Sequence, residues 1–178
     1  MKAHKAFTLI ELIAVLLIIG ILAASFSALK RPEDVWPNIL SSFNDFIVFA
    51  CQEAIVNRKI HRVVFTSSER AGAIISLFRE EVDPESKNKK IYEEIKSVYL
   101  DLPLKFPKTV RFNNIYIDGK VPDEELGRGV PLYITEDGLA QDLLIHLIRK
   151  RGELEDRATL KLKPFIGKFE FFEGFQKP

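Results

Sequence analysis

The chain has 178 residues, of which 47% are hydrophobic and 29% charged, and its formal net charge is +1. That length suits one globular domain with an appendage, and the composition excludes a disordered, collagen-like or disulfide-scaffolded chain. The near-neutral charge supplies no overall basic field for nucleic acid; the single cysteine, Cys51, rules out an intrachain disulfide and leaves the redox compartment open.

The apolar residues are unevenly distributed. From Phe7 to Leu29 there is one ionisable side chain, Glu11. As a helix this run spans about 34 Å, enough for a hydrocarbon core of about 30 Å. Ahead of it stands Met-Lys-Ala-His-Lys-Ala, with Lys2 and Lys5. A secretory signal peptide, a plain signal anchor and a short processed leader all begin this way. Glu11 separates them: a carboxylate near the start of a lipid-facing helix costs on the order of 2–3 kcal/mol, and neither of the first two needs one.

Ala6-Phe7-Thr8-Leu9-Ile10-Glu11-Leu12, followed by the apolar run, resembles the cleavage and methylation motif of type IV prepilins and pseudopilins. Ala6 departs from the family, which most often has Gly there; both are small. The resemblance implies that a prepilin peptidase/methyltransferase cuts between Ala6 and Phe7 and methylates the new amine of Phe7. It also implies that Glu11 pairs with that amine on a neighbouring subunit, which offsets the desolvation of a buried carboxylate and sets filament register. Charge alone leaves orientation nearly tied, with Lys2 and Lys5 before the span and Lys30 and Arg31 after it. The N-terminus-in topology comes from the resemblance.

Pro32 and Pro37 interrupt the helical pattern, and Trp36 suits a membrane interface. A second helix is expected from about Asn38 to Ile60, with Leu40, Phe43, Ile47, Ala50, Cys51, Ala54 and Ile55 as its apolar stripe. Strands follow at His61–Thr66 and Ala73–Phe78, then a charged loop over Val82–Lys90. Ile91, Ile95, Val98 and Tyr99 have helical spacing and predict a short helix over Ile91–Leu100. Further strands are expected at Asn114–Ile117, Pro131–Thr135, Leu143–Arg149, Thr159–Lys163 and Lys168–Phe172. Turns are expected at Asp118-Gly119, Glu136-Asp137-Gly138 and Ile166-Gly167-Lys168. The last two strands alternate apolar and polar residues, as half-buried antiparallel strands do.

The expected fold is therefore α+β and pilin-like: a long N-terminal helix, half in membrane and half packed against a globular antiparallel β-sheet domain. Its divisions are a leader over 1–6, a membrane helix over 7–29, a kink or linker over 30–37, and a periplasmic domain over 38–178. The passage from Ser42 to Phe65, with Tyr133–Gly138 and Phe165–Lys168, is similar to H-type minor pseudopilins of type II secretion systems. Residues Asp83–Phe106 form an insertion relative to that pattern.

No catalytic constellation is evident, and a non-enzymatic subunit is expected. Ser27-Ala28-Leu29-Lys30 and Ser86-Lys87-Asn88-Lys89 match S-x-x-K without the companion motifs of serine–lysine enzymes. His4, His61 and His146 have no metal-ligand spacing; the last two are expected to face solvent, and Cys51 to be a small core residue. Asp118, Asp123, Glu124 and Glu125 form an acidic loop. Some pseudopilins bind calcium in such a loop, but the spacing is not that of an EF-hand and reads as a solvated turn. Arg149-Lys150-Arg151 and Lys87–Lys90 are small basic clusters with acidic neighbours; they read as a solvated rim, not a nucleic-acid surface. Phe169, Phe171, Phe172 and Phe175 are read as mostly core, with exposure the alternative for Phe175 near the end. No cofactor and no metal are expected.

The resemblance implies a minor pseudopilin of a type II secretion pseudopilus, held in the inner membrane with its domain in the periplasm. Its partners would be the peptidase, other pilins or pseudopilins, an inner-membrane assembly platform and lipid. The alternative is a minor pilin of a type IV pilus, acting in adhesion, motility or DNA uptake. A signal-anchored periplasmic domain unrelated to filaments is a third reading, disfavoured by Glu11.

Overall fold

A computed structural model describes residues 9–28, 35–83 and 89–178. The chain divides into two compact units, 1–35 and 36–178. In the first, α1 (Leu9–Ala28) is one continuous helix. Its exposed side chains include Ile10, Ile13, Leu16, Leu17, Ile18, Ile19 and Ile21.

The second unit opens with α2 (Trp36–Asn57). Pro37 sits in its first turn, where a missing N–H costs nothing. The helix ends where Arg58 turns left-handed (φ 50°). The Lys59 N–H then donates to the Ala54 carbonyl at 3.3 Å, which satisfies an end-of-helix acceptor. Its buried face is Ile39, Phe43, Phe46, Ile47, Ala50 and Ala54. The expected stripe is thus turned toward Ile39 and Phe46. Leu40 and Cys51 are half-buried and Ile55 is exposed.

Among the described residues nine strands follow, all paired antiparallel. One sheet has the order β3 (Lys90–Glu94), β2 (Gly72–Val82), β1 (His61–Ser68), β6 (Val130–Ile134); the short β4 (Leu104–Lys105) also pairs with β2. The other has the order β5 (Val110–Ile117), β7 (Leu143–Arg151), β8 (Leu154–Lys163), β9 (Lys168–Glu173). The α+β architecture expected from the sequence is present: an apolar N-terminal helix followed by an antiparallel sheet domain.

The core lies between α2 and the two sheets, around Phe43. Its ring stacks on Phe106 (5.1 Å between centroids) and meets Phe169 (5.2 Å) and Phe112 (6.3 Å) edge-on. Phe112 in turn meets Phe65 at 5.7 Å. The ring cluster thereby links α2 to one sheet through Phe112 and Phe169, and to the other through the Phe112–Phe65 contact, in the offset and edge-to-face geometries that aromatic rings prefer. Asn44 adds a polar tie: its Oδ1 accepts the Phe169 N–H at 2.7 Å, which occupies a donor on the edge of β9 that would otherwise be open. The turn at Gly138 (φ 77°) lies so close to α2 that a Cβ there would sit 2.7 Å from Ile55 Cδ1.

One expected element is absent. Residues Ile91–Leu100 contain no helix. Lys90–Glu94 pairs with the outer edge of β2, from Phe78↔Glu94 to Val82↔Lys90. Val98 and Tyr99 are 99% and 94% exposed, so a helix there would have no surface against which to bury its stripe. The strand expected from Leu143 is present as β7. Its residues Leu143, Leu144, Ile145, His146 and Leu147 are all buried, so both faces of this strand are covered.

Candidate functional site

The site residues expected from the sequence lie at the N-terminus. Ala6 and Phe7 lie outside the described residues, as do Lys2, Lys5 and His4. Glu11 is the third residue of α1 and the only ionisable one between Leu9 and Ala28. Twenty residues of this composition meet the length of a membrane span. By length and apolarity alone, Trp36–Asn57 would also pass. That helix, however, spends its apolar face on the sheet domain, with Phe43 and Ala50 at 1% and 0% exposure. We therefore assign the membrane to α1 and the core to α2.

The remaining sequence candidates have structural tasks. His61 and His146 were expected to face solvent; both are buried. His61 faces inward because β1 buries alternate residues, and it is in phase with Val63 and Phe65. Its Nδ1 bonds the Lys59 carbonyl at 2.8 Å, which places the proton on Nδ1. Nε2 is buried without a partner. Burial pushes this imidazole's pKa down. His146 bonds the Gln176 carbonyl through Nε2 at 2.8 Å and carries Phe175 stacked on its ring at 4.4 Å. The ring contact accounts for Phe175 being held against the domain, with 36% exposure.

Cys51 is half-buried, and burial pushes its thiol pKa up, which disfavours the nucleophilic thiolate. Beside it, Val48, Ile55, Leu139, Phe165 and Ile166 border a shallow groove between α2 and the turns at Gly138 and Gly167. Phe165 is 89% exposed there.

In the acidic loop, Asp118 is a fastener. It adopts φ 51°, and its carboxylate accepts from the Asp142 N–H (3.2 Å) and Gln141 Nε2 (3.1 Å). Among the described residues no three His, Cys, Asp or Glu side chains gather as a metal ion would need. Of the basic clusters, Arg151 pairs with Asp156 at 3.5 Å and Lys90 with Glu80 at 2.9 Å. Of the S-x-x-K motifs, Ser27 lies within α1, while Lys30 and Ser86 fall outside the described residues.

Asn44 lies off the apolar stripe of α2, yet it ties the helix to β9. Its partner is 125 residues away, and no local pattern reports such a contact. On β1 the Arg62 guanidinium lies 4.0 Å from the Tyr92 ring centroid and 5.3 Å from that of Phe78.

Residues 1–27 match the family described as the prokaryotic N-terminal methylation motif. No curated protein and no solved structure matches the chain. The N-terminus is thus of the prepilin type, the kind processed by a prepilin peptidase and assembled with other pilins. The chain joins this N-terminus to an antiparallel sheet domain, an α+β pilin-like architecture.

Proposed function

We propose that this protein is a minor pseudopilin of a type II secretion system, nearest to the H-type in its domain, and that its role is mechanical. In this reading residues 1–6 are a leader, 7–29 the membrane helix, 30–37 a linker and 38–178 the periplasmic domain. The peptidase cuts between Ala6 and Phe7 on the cytoplasmic side and methylates the amine of Phe7. Glu11 then waits in the bilayer, costly until a staggered neighbour presents that amine. Register follows because only a correctly placed subunit neutralises the carboxylate. The inner-membrane platform lifts subunits from lipid into a short filament. The exposed apolar groove beside Cys51 suits contact between subunits.

The observation that carries this reading is the methylation-motif match over residues 1–27, together with an apolar α1 whose only ionisable residue is Glu11. A minor pilin of a type IV pilus shares that N-terminus. Deletion in the native host separates the two: loss of exoprotein export supports the pseudopilin, and loss of adhesion, motility or DNA uptake supports the pilin.

The test of the shared step is the intact mass and N-terminal sequence of protein extracted from native membranes. We expect a start at Phe7 with one added methyl group. A start at Met1, or a cut near Ala28, overturns the filament reading.

A further inference from the structure

The outer strands of a sheet carry a row of N–H and C=O groups that need cover. The edges at β5, β6 and β9 find it within the chain. On β6 the Tyr133 N–H donates to Gln141 Oε1 (3.0 Å), and the Tyr133 carbonyl accepts from the Gln141 N–H (3.4 Å). On β5 the Phe112 N–H donates to Ser67 Oγ (3.2 Å). On β9 the Phe169 N–H donates to Asn44 Oδ1 (2.7 Å). The edge at β3 differs: Lys90, Ile91, Glu93 and Glu94 are exposed and Tyr92 is half-buried.

The ladder fixes which groups of β3 are open. The Ile95 N–H donates to the Leu77 carbonyl (2.8 Å) and the Asp83 N–H to the Lys89 carbonyl (2.9 Å), whereas the Glu80 N–H turns the other way, to Ile60 (2.9 Å). Bonding direction alternates along an antiparallel strand. Ile91 and Glu93, opposite Glu81 and Arg79, therefore bond β2, while Lys90, Tyr92 and Glu94 direct their N–H and C=O outward. Among the described residues no backbone bond outside the ladder reaches these three.

Their side chains are self-complementary about Tyr92. Two copies of β3 set antiparallel, with Tyr92 opposite Tyr92, bring Lys90 of each opposite Glu94 of the other. Every outward N–H then meets an outward C=O, two opposite-charge pairs form, and two aromatic rings meet at the centre. A slip by two residues leaves part of β3 unpaired and breaks both charge pairs. Lys90 already meets Glu80 at 2.9 Å, but its side chain is 65% exposed and its ammonium has donors to spare. The Tyr92 ring is held in place by the Arg62 guanidinium, 4.0 Å from its centroid.

We propose that β3 docks on β3 of a second copy of this chain, antiparallel across a two-fold axis at Tyr92. The sheet then continues from one subunit into the next, by strand addition at an open edge. So short a ladder makes a weak and reversible dimer. The pairing does not depend on the filament reading.

The test is amide hydrogen exchange on the full chain in detergent, from dilute to concentrated protein. The Tyr92 and Glu94 amides should slow by about tenfold or more as concentration rises. The Ile91 and Glu93 amides, already bonded to β2, should not change. Lys90→Glu alone, or Glu94→Lys alone, sets like charges opposite each other and should abolish the slowing. An equimolar mixture of the two variants restores both charge pairs and should recover it. Tyr92 and Glu94 amides indifferent to concentration overturn the proposal. Slowing that survives either reversal, or a mixture that recovers nothing, overturns it as well. If a reversed variant fails to melt cooperatively, the concentration dependence of the unaltered chain decides.

Discussion

His61 has no exposed surface, and only one of its ring nitrogens finds a partner, the Lys59 carbonyl. Desolvation disfavours the imidazolium and lowers the pKa. The Lys59 bond and the Glu53 and Glu81 charges oppose this, and Arg79 adds to it, yet the net direction is down. The unfolded chain therefore takes up a proton at this position first as pH falls. Stability is complete above the ordinary value of 6.5 and declines below it toward the folded pKa. The decline is bounded at about 1.4 kcal/mol per pH unit. Denaturant melts of the domain between pH 7.5 and 5 should show it, and His61→Gln should flatten it. Glu81 does not confuse the window: its hydrogen bond from Lys59 lowers its pKa below 4.5, so its contribution fades only at more acid pH.

At the scale of elements, α2 is held chiefly through Phe43, which is 1% exposed and in contact with three other rings. Phe43→Ala should cost about 3–5 kcal/mol, read as a fall in denaturation midpoint with an unchanged slope. Ile55→Ala, on the 52% exposed face of the same helix, should cost about 1 kcal/mol or less. Equal losses would mean that α2 is not oriented as described. Much of this level was legible in the sequence. Phe43, Ile47, Ala50 and Ala54 repeat with helical period, β-branched and aromatic content marks β1, and alternation marks β8 and β9, so these elements could be read from the sequence. Two kinds of residue misled. The Ile91–Tyr99 spacing is helical, but the uncovered edge of β2 offers hydrogen bonds that outweigh a stripe with nothing to pack on. His61 and His146 read as polar and so as exposed; their burial depends on the carbonyls of Lys59 and Gln176, which local pattern does not report. At the N-terminus the case differs. The motif is itself a run of adjacent residues, so it can be read without the fold.

At the scale of the whole molecule, every buried hydrophobic residue described lies in the unit 36–178. A chain beginning at Trp36 should therefore fold without detergent, with a cooperative melt within a few degrees of the full-length protein and no partition into membranes. Failure of that fragment to fold would show that the first unit contributes to the core. Such a division lets one part of the chain answer to lipid while the other follows the ordinary rules of a water-soluble domain.

The tie between Asn44 and Phe169 has a consequence for synthesis. Its two ends are 125 residues apart, and Phe43 likewise waits for Phe169. At roughly 5–20 residues per second, about 6–25 s pass between the appearance of α2 and that of the strand that completes its cover. Through that interval α2 is newly made, uncovered and apolar enough to enter a bilayer. The nascent chain thus faces a race between a second, mistaken insertion and the arrival of β9. Asp45 and Gln52, which stay exposed on α2 in the folded domain, weigh against the membrane while the chain waits.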